Sequence, residues 1–422
     1  MGCARRSKRW GGIAIFLVVC CLGTVAQGKY GGGSGTPEDP YQIWDANHMQ
    51  AIGADANDWD KHFLLMADID LGQFDGRDGR EKFNMIGVWV ADDDPNNRPF
   101  TGVFDGDGRV IRDFNYTSGG GRDLLGIFRY VSDPNAEVKK VGLVCANVSS
   151  TEYHAFDIGS LAGRLEYGTI SNCFVEDGNV SGDYAIGGLV GRSLYGTVLD
   201  CYSTGVVSCG GGGGLIGRNY SGPVHNCYST ASVLGVNVGG LLGENWHAVV
   251  SNCYSTGKVE GSWLAGGLVG NNNGEIHNCY SRGSVIGNSY AGGLVGENGS
   301  IFVNYSLITN SYSTGLVVGA GAHIGGLAGE NRDGIGEVKH SFCDVNSSAE
   351  PNSDGGTGLP TDEMQMQITY TEADWDFINV WDIGENQTYP YLRTHSASDI
   401  NKDRITNFLD LCIVAEEWMK EN

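Results

Sequence analysis

Apolar residues in the middle of this chain fall in short clusters, each closed by glycine, that return at a nearly fixed interval. A Gly-Gly-Leu-x-Gly cassette starts at Gly187, Gly213, Gly239, Gly266, Gly292 and Gly325, so successive copies lie 26, 26, 27, 26 and 33 residues apart. A degenerate copy, Gly159-Ser160-Leu161-Ala162-Gly163, lies 28 residues before the first. A second motif keeps step with it: Asn172-Cys173-Phe174, Cys201-Tyr202-Ser203-Thr204-Gly205, Asn226-Cys227-Tyr228-Ser229-Thr230, Asn252-Cys253-Tyr254-Ser255-Thr256-Gly257, Asn278-Cys279-Tyr280-Ser281 and Asn310-Ser311-Tyr312-Ser313. A period of this length is the signature of stacked supersecondary units, in which neighbouring repeats bury a shared core.

The hydrophobic pattern inside one unit predicts strands. In residues 266–291, Gly267-Leu268-Val269-Gly270 reads as a short strand and Asn271-Asn272-Asn273-Gly274 as a turn. Ile276 to Ser281 and Ser284 to Gly287 read as two further strands. Twenty-six residues at about 3.3 Å each wrap a small three-sided coil, and glycine at the strand ends permits close corners. Asn219, Asn245, Asn272, Asn298 and Asn331 recur in register after the cassettes, which predicts an asparagine ladder along one corner. The fold expected is all-β: a parallel β-solenoid (β-helix) of about seven coils, roughly 34 Å long before its caps.

The flanks differ in texture. Ala46 to Gly53 is helical in pattern, Phe63 to Leu71 alternates like a strand, and Phe100 to Gly108 runs from a strand into a turn. Open solenoid ends need atypical covering units, and these residues stand where one is needed. The organisation expected is a signal peptide at 1–26, an N-terminal cap region at 29–135, the solenoid at 136–345, a C-terminal cap at 346–394 and a tail at 395–422.

Composition rules out disorder: 67 glycines sit beside a 41% hydrophobic content with 19 tyrosines and 9 tryptophans. Arg5-Arg6-Ser7-Lys8-Arg9, the apolar run from Ile13 to Val25 and the small residues around Ala26 form the three zones of a secretory signal. Export to the cell surface or the medium is therefore expected, with no transmembrane segment once the signal is removed. Losing Arg5, Arg6, Lys8 and Arg9 moves the formal charge from −23 to −27, a surface that suits neither nucleic acid nor anionic membrane.

Twelve cysteines are present, and Cys3, Cys20 and Cys21 leave with the signal. Cys173, Cys201, Cys227, Cys253 and Cys279 share one repeat position, which Ser311 and Ser341 take in later coils. Stacking puts them in a column about 4.8 Å apart. Side chains in such a column point the same way, which does not favour disulfides. Buried free thiols are the expectation.

The cassettes resemble the GLUG-motif family. Phe100 to Gly108, Val141-Gly142-Leu143-Val144, Gly355 to Met364, Trp375-Asp376-Phe377 and Tyr389-Pro390-Tyr391-Leu392 look like its flanking signatures, so the resemblance spans roughly residues 40–394. It implies a secreted β-solenoid of bacterial surface proteins and no single reaction. Some relatives carry an IgA-cleaving metallopeptidase module elsewhere. This chain has no His-Glu-x-x-His, so that zinc chemistry is not implied.

In the tail, Asp399, Asn401, Asp403, Asn407 and Asp410 place oxygen side chains at loop positions 1, 3, 5, 9 and 12, with Ile405 at position 7, where a backbone carbonyl serves. This is the ligand order of a calcium loop. Phe408, Leu411, Cys412, Ala415, Trp418 and Met419 then make the apolar stripe of a short helix. The segment resembles one dockerin type I repeat, with Arg404 at position 6 in place of the usual glycine. The resemblance implies one Ca²⁺ held by Asp399, Asn401, Asp403, Ile405, Asn407 and Asp410, and a cohesin-like partner.

Asp92-Asp93-Asp94 and the pair Asp105 and Asp107 are the carboxylate clusters that a glycosidase or lyase could use, but both sit among turn residues. No nucleophile or base has a named partner, so no catalytic residue is assigned. Trp263, Tyr290 and Tyr184 near repeat corners could stack on sugars, though aromatics at strand ends more often serve plain packing. The function expected is non-catalytic adhesion, surface display or extracellular scaffolding, attached through the calcium tail. The alternative is a protein that binds or degrades extracellular polysaccharide.

Overall fold

A computed structural model describes residues 29–119, 124–151, 155–303 and 305–393. Thirty-five strands join in one continuous sheet wound into a stack of coils, and the pairings that link its successive coils are parallel. One column shows its extent: Tyr41, Phe63, Phe104, Val138, Ile170, Val198, Val224, Val250, Ile276, Ile308 and Val338 are successive register partners. The 26-residue steps from Val198 to Ile276 thus belong to a ladder that starts at Tyr41 and whose other coils vary in length. This is a parallel β-solenoid, as the repeat period predicts.

In the coil that follows Gly266, the strands are Val269–His277, Tyr280–Ser281, Val285–Gly287 and Tyr290–Gly292. The predicted turn at Asn271-Asn272-Asn273-Gly274 is overturned, because these residues lie inside Val269–His277. Their backbone pairs with both neighbouring coils, Asn272 standing between Asn245 and Asn298. The asparagine side chains make the predicted ladder even so. Asn219 Nδ2 donates to Asn245 Oδ1 at 3.3 Å, Asn245 to Asn272 at 2.9 Å, Asn272 to Asn298 at 2.8 Å and Asn298 to Asn331 at 2.7 Å. All but Asn331 are buried. A buried amide whose polar groups find partners can enter a core that would otherwise reject it.

The sharp corners lie elsewhere. Asn172, Asp200, Asn226, Asn252, Asn278, Asn310 and His340, each just before the cysteine position, have φ between 46° and 54°. Asparagine is among the few non-glycine residues that enter this left-handed region at modest cost, which accounts for the first letter of the Asn-Cys-Tyr motif. The cassette makes another corner, and its glycines answer to crowding. A Cβ on Gly240 would stand 2.1 Å from the Gly267 carbonyl oxygen of the next coil. The cassette leucines, among them Leu215, Leu241 and Leu268, are fully buried.

The five column cysteines are free and buried. From Cys201 onwards each thiol accepts from the backbone of the preceding coil and donates within its own: Cys227 N–H meets Cys253 Sγ at 3.3 Å, and Cys253 Sγ donates to the Ser251 carbonyl at 3.1 Å. Ser311 does the same at its level, accepting from Cys279 N at 3.1 Å and donating to Thr309 O at 2.8 Å. Outside this column Tyr202, Tyr228, Tyr254 and Tyr280 stack with ring centroids 4.8 Å apart. Helices Thr361–Met364 and Gln367–Thr371 and the hairpin Trp381–Asp382 with Tyr391–Leu392 carry the residues that close over its C-terminal end. Tyr312 OH donates to the Pro390 carbonyl at 2.5 Å.

Candidate binding cleft

The residue directly after each cassette lies on the first strand of its coil. Stacking aligns Arg164, Arg192, Arg218, Glu244, Asn271, Glu297 and Glu330 as register partners. A second column comes from the strand that enters each cassette: Phe156, Tyr184, Gly211, Asn237, Leu264, Tyr290 and His323. The two columns are separated by one corner, so a charged stripe and a partly aromatic stripe run side by side along the stack. The charged column gives one face of the repeats a chemistry that the cassettes themselves do not carry. It was visible at one fixed position, immediately after the last glycine of every cassette.

At its N-terminal end the paired stripe opens into a cleft of about 530 Å³ lined by Trp89, Asp92, Phe156, Arg164, Asp183, Tyr184 and Arg192. That volume is in the range of small-ligand sites. Its floor is a buried charge cluster. Asp157 is 0% exposed, and its carboxylate accepts from Arg164 Nε at 2.9 Å and lies 2.8 Å from Arg164 Nη2. Arg192 Nε lies 2.8 Å from its other oxygen, a close charge contact rather than an aligned hydrogen bond. Arg164 Nη1 reaches out to Asp92 Oδ1 at 2.8 Å. Burial pushes the Asp157 carboxyl up from its ordinary range, against the pull of the two guanidiniums. Asp157 also has φ 59°, a strained setting for a buried aspartate.

The walls are aromatic. Trp89 packs edge to face with Phe156 at 6.2 Å, and the Arg164 guanidinium lies 4.5 Å from the Trp89 ring centre. The Tyr184 hydroxyl donates to Glu244, two coils further on. Burial, followed by the Glu244 charge, pushes that phenol up from its ordinary range, so it stays a neutral donor. Trp246 Nε1 donates to Glu244 at 2.7 Å and Arg218 Nε lies 3.1 Å from it. Glu244 thus ties Tyr184, which lines the cleft, to Trp246 and Arg218 beyond it.

Of the residues read from sequence as candidates, Tyr184 and Asp92 belong to this cleft. Trp263 and Tyr290 lie further along the same stripes, with rings 5.6 Å apart. Asp94 caps Asn96 N at 2.8 Å and Asp105 caps Asp107 N at 2.9 Å, as turn carboxylates do. The calcium-loop residues Asp399, Asn401, Asp403, Ile405, Asn407 and Asp410 lie outside the described residues, as does the signal segment 1–26. Among the described residues no group of three or more His, Cys, Asp or Glu side chains could hold a metal ion, and no helix is long and apolar enough to cross a membrane. Trp89 and Arg164 were missed by sequence reading. The two lie far apart in sequence, and Trp89 precedes the repeats that set the position of Arg164, so no local pattern joins them.

The GLUG motif is found three times, at residues 182–208, 235–260 and 261–286. A stretch of 112 residues is 33% identical to a protein of Evansella cellulosilytica named "Putative Gly-rich membrane protein", covering 24% of this chain and 13% of that one. Another of 147 residues is 32% identical to halomucin of Haloquadratum walsbyi, covering 32% of this chain and 2% of halomucin. The chain thus spans a small fraction of either relative. Among solved structures, "a putative immunoglobulin A1 protease from Bacteroides ovatus" aligns with a TM-score of 0.49 at 22% identity, covering 87% of this chain and 96% of that one.

Proposed function

We propose that this is an exported, non-catalytic repeat protein that adheres to extracellular polysaccharide and serves as a display or scaffolding body. The observation that carries the reading is the cleft between Trp89, Phe156 and Tyr184, where aromatic faces stand beside fixed donors and acceptors. Sugar rings offer apolar C–H faces and hydroxyls around the rim, and that combination answers both needs. The charges of the floor are matched: Arg164 and Arg192 hold Asp157, and Arg164 also holds Asp92. A carboxylate locked between guanidiniums and shut off from solvent serves as a rigid support and is poorly placed to exchange protons with a ligand. The name of one relative, a Gly-rich membrane protein, agrees with a place outside the cytoplasm.

A glycan array probed with the chain lacking residues 1–26, paired with a reducing-sugar assay on whatever binds, tests the reading. Binding without release of reducing ends is expected. Release of reducing ends would favour polysaccharide cleavage instead. Attachment through the tail is the second half of the proposal, with Ca²⁺ on Asp399, Asn401, Asp403, Ile405, Asn407 and Asp410 and a cohesin-like partner. Calorimetric titration of Ca²⁺ into the same protein, with and without residues 395–422, is expected to show one site that disappears with the tail. Equal heats from both would remove calcium from the proposal.

A further inference from the structure

We infer that the cleft is one end of a longer groove, and that its ligand is a linear, uncharged glycan lying along the axis of the stack. The inference rests on the reading of the cleft as a polysaccharide contact.

Three observations point to the longer groove. A second, smaller cavity of about 110 Å³ lies on the same two stripes, lined by Asn237, Glu244, Trp263, Leu264, Asn271 and Glu297. Glu244 is common to both ends: it takes the Tyr184 hydroxyl from the cleft side and lines the second cavity. Trp263 is 53% exposed beside that cavity, an unusual position for so large an apolar ring. In addition, Asn237 is one of the residues lining that cavity, and its Oδ1 has no hydrogen-bond partner among the described residues, which leaves a buried acceptor in want of a donor.

The spacing suits a polymer. Tyr184 and Leu264 are three rungs apart through Gly211 and Asn237, about 14 Å at the ~4.8 Å spacing of paired strands. One rung is close to the length that a single sugar ring adds to an extended glycan. A chain parallel to the axis therefore meets equivalent positions in register from coil to coil.

Charge selects against a polyanion. At the cleft end Arg164, Arg192 and Arg218 are matched by Asp157, Asp92 and Glu244. Towards the other end the stripe turns acidic at Glu297 and Glu330, where Arg332 lies 2.7 Å from Glu297 and 3.6 Å from Glu330. The whole chain carries a formal −23. Repeated carboxylates or sulfates laid along this groove would find its arginines already paired with acids and would meet one acid in excess where Glu297 and Glu330 share Arg332.

The test is calorimetric titration of the intact protein with length series, disaccharide to hexasaccharide, of neutral β-glucan, xylan and mannan fragments, beside hyaluronate and chitosan fragments. For at least one neutral series, affinity is expected to rise about tenfold from disaccharide to hexasaccharide, as linked subsites engage. Trp263→Ala should then weaken the hexasaccharide about fivefold and leave the disaccharide unchanged, while Trp263→Tyr restores the longer ligand. Trp89→Ala should weaken both lengths. Because Trp263 is exposed, its variants keep the fold, and an unchanged denaturation curve confirms this for each. Length-independent binding that is sensitive to Trp89 but not to Trp263 overturns the longer groove and leaves the cleft reading standing. Tighter binding of the hyaluronate or chitosan series overturns the uncharged ligand. Binding insensitive to Trp89, or no binding by any series, overturns the cleft reading itself.

Discussion

The Ser203 hydroxyl donates to the Gly214 carbonyl oxygen at 2.7 Å, and Ser313 repeats the contact with Gly326 at 2.6 Å. The serine of the Tyr-Ser motif thus closes against the cassette that ends its own coil. Two motifs that look independent along the chain meet at one corner in space. The bond is made at these two levels, whereas Ser255 Oγ and Ser281 Oγ, at the same repeat position, have no hydrogen-bond partner among the described residues.

That corner has no room for a methyl group. A Cβ at Gly240 would lie 2.1 Å from Gly267 O and 2.3 Å from Ser255 Oγ, so Gly240→Ala must push neighbouring coils apart. A loss of about 3 kcal/mol is expected by urea denaturation. Gly119→Ala, where a Cβ meets nothing within 4 Å, should stay within about 0.5 kcal/mol of the parent.

Asn245 bonds to three groups: it accepts from Asn219 and donates to Asn272 and to the Ala248 carbonyl at 3.0 Å. Asn245→Ala removes all three bonds from a buried strand, although Asn219 Nδ2 keeps the Gly222 carbonyl at 2.7 Å and Asn272 Oδ1 keeps the Gly274 N–H at 3.3 Å. Any group so left without a partner costs about 1–3 kcal/mol, so the variant should be among the least stable single substitutions in the stack. Because the ladder acts as a unit, Asn245→Ala combined with Asn272→Ala is expected to cost less than the two single losses together.

The thiol column should be chemically silent while folded. Iodoacetamide on the native protein is expected to label Cys145, which is exposed, and to reach Cys173, Cys201, Cys227, Cys253 and Cys279 only after unfolding. Burial pushes the Cys227 and Cys253 thiols up, while unfolded cysteine titrates near about 8.5. The native state then keeps protons that the unfolded chain gives up. Stability is full below about pH 8.5 and falls as pH rises beyond it, by up to about 1.4 kcal/mol per pH unit for each such thiol. Cys253→Ser should flatten that slope at a cost of about 1 kcal/mol or less, since Ser311 already makes both bonds of this site. Cys253→Val, which gives Cys227 N no acceptor, should cost more.

At the left-handed corner Asn252 has φ 52°. Asn252→Gly should be nearly neutral, whereas Asn252→Val should cost about 1–2 kcal/mol or more, because a β-branched side chain crowds the following carbonyl there. Thermal denaturation of the two variants side by side separates backbone strain from the loss of the weak Asn252–Asn226 contact, which is 3.4 Å long and absent from both.

Much of the fold was legible along the chain. The coil period, the buried cysteines and the Asn219 to Asn331 ladder all follow from residues that recur at one interval, because stacking converts sequence period into spatial column. The turn placed at Asn271 to Gly274 was misread, since asparagine and glycine are turn formers by local preference. Here the neighbouring coils supply backbone partners on both sides and hold the segment extended. Of the cleft, Tyr184 and Asp92 were picked out singly, but their partnership with Trp89, Arg164 and Arg192 was not. Trp89 and Asp92 precede the regular repeats and have no counterpart in them.

The sequence by itself determined the stack: a repeated unit that cannot bury its leucines alone must pack on its own copies, and glycine, asparagine and cysteine mark where those copies touch. Only the tertiary structure decided which outward positions become a surface with a chemistry of its own. Arg164, Arg192 and Arg218 are ordinary polar residues in three separate repeats until strand pairing sets them about 4.8 Å apart. The loop that carries Trp89 and Asp92 then folds across the first of them, and that contact is set by packing between segments far apart along the chain.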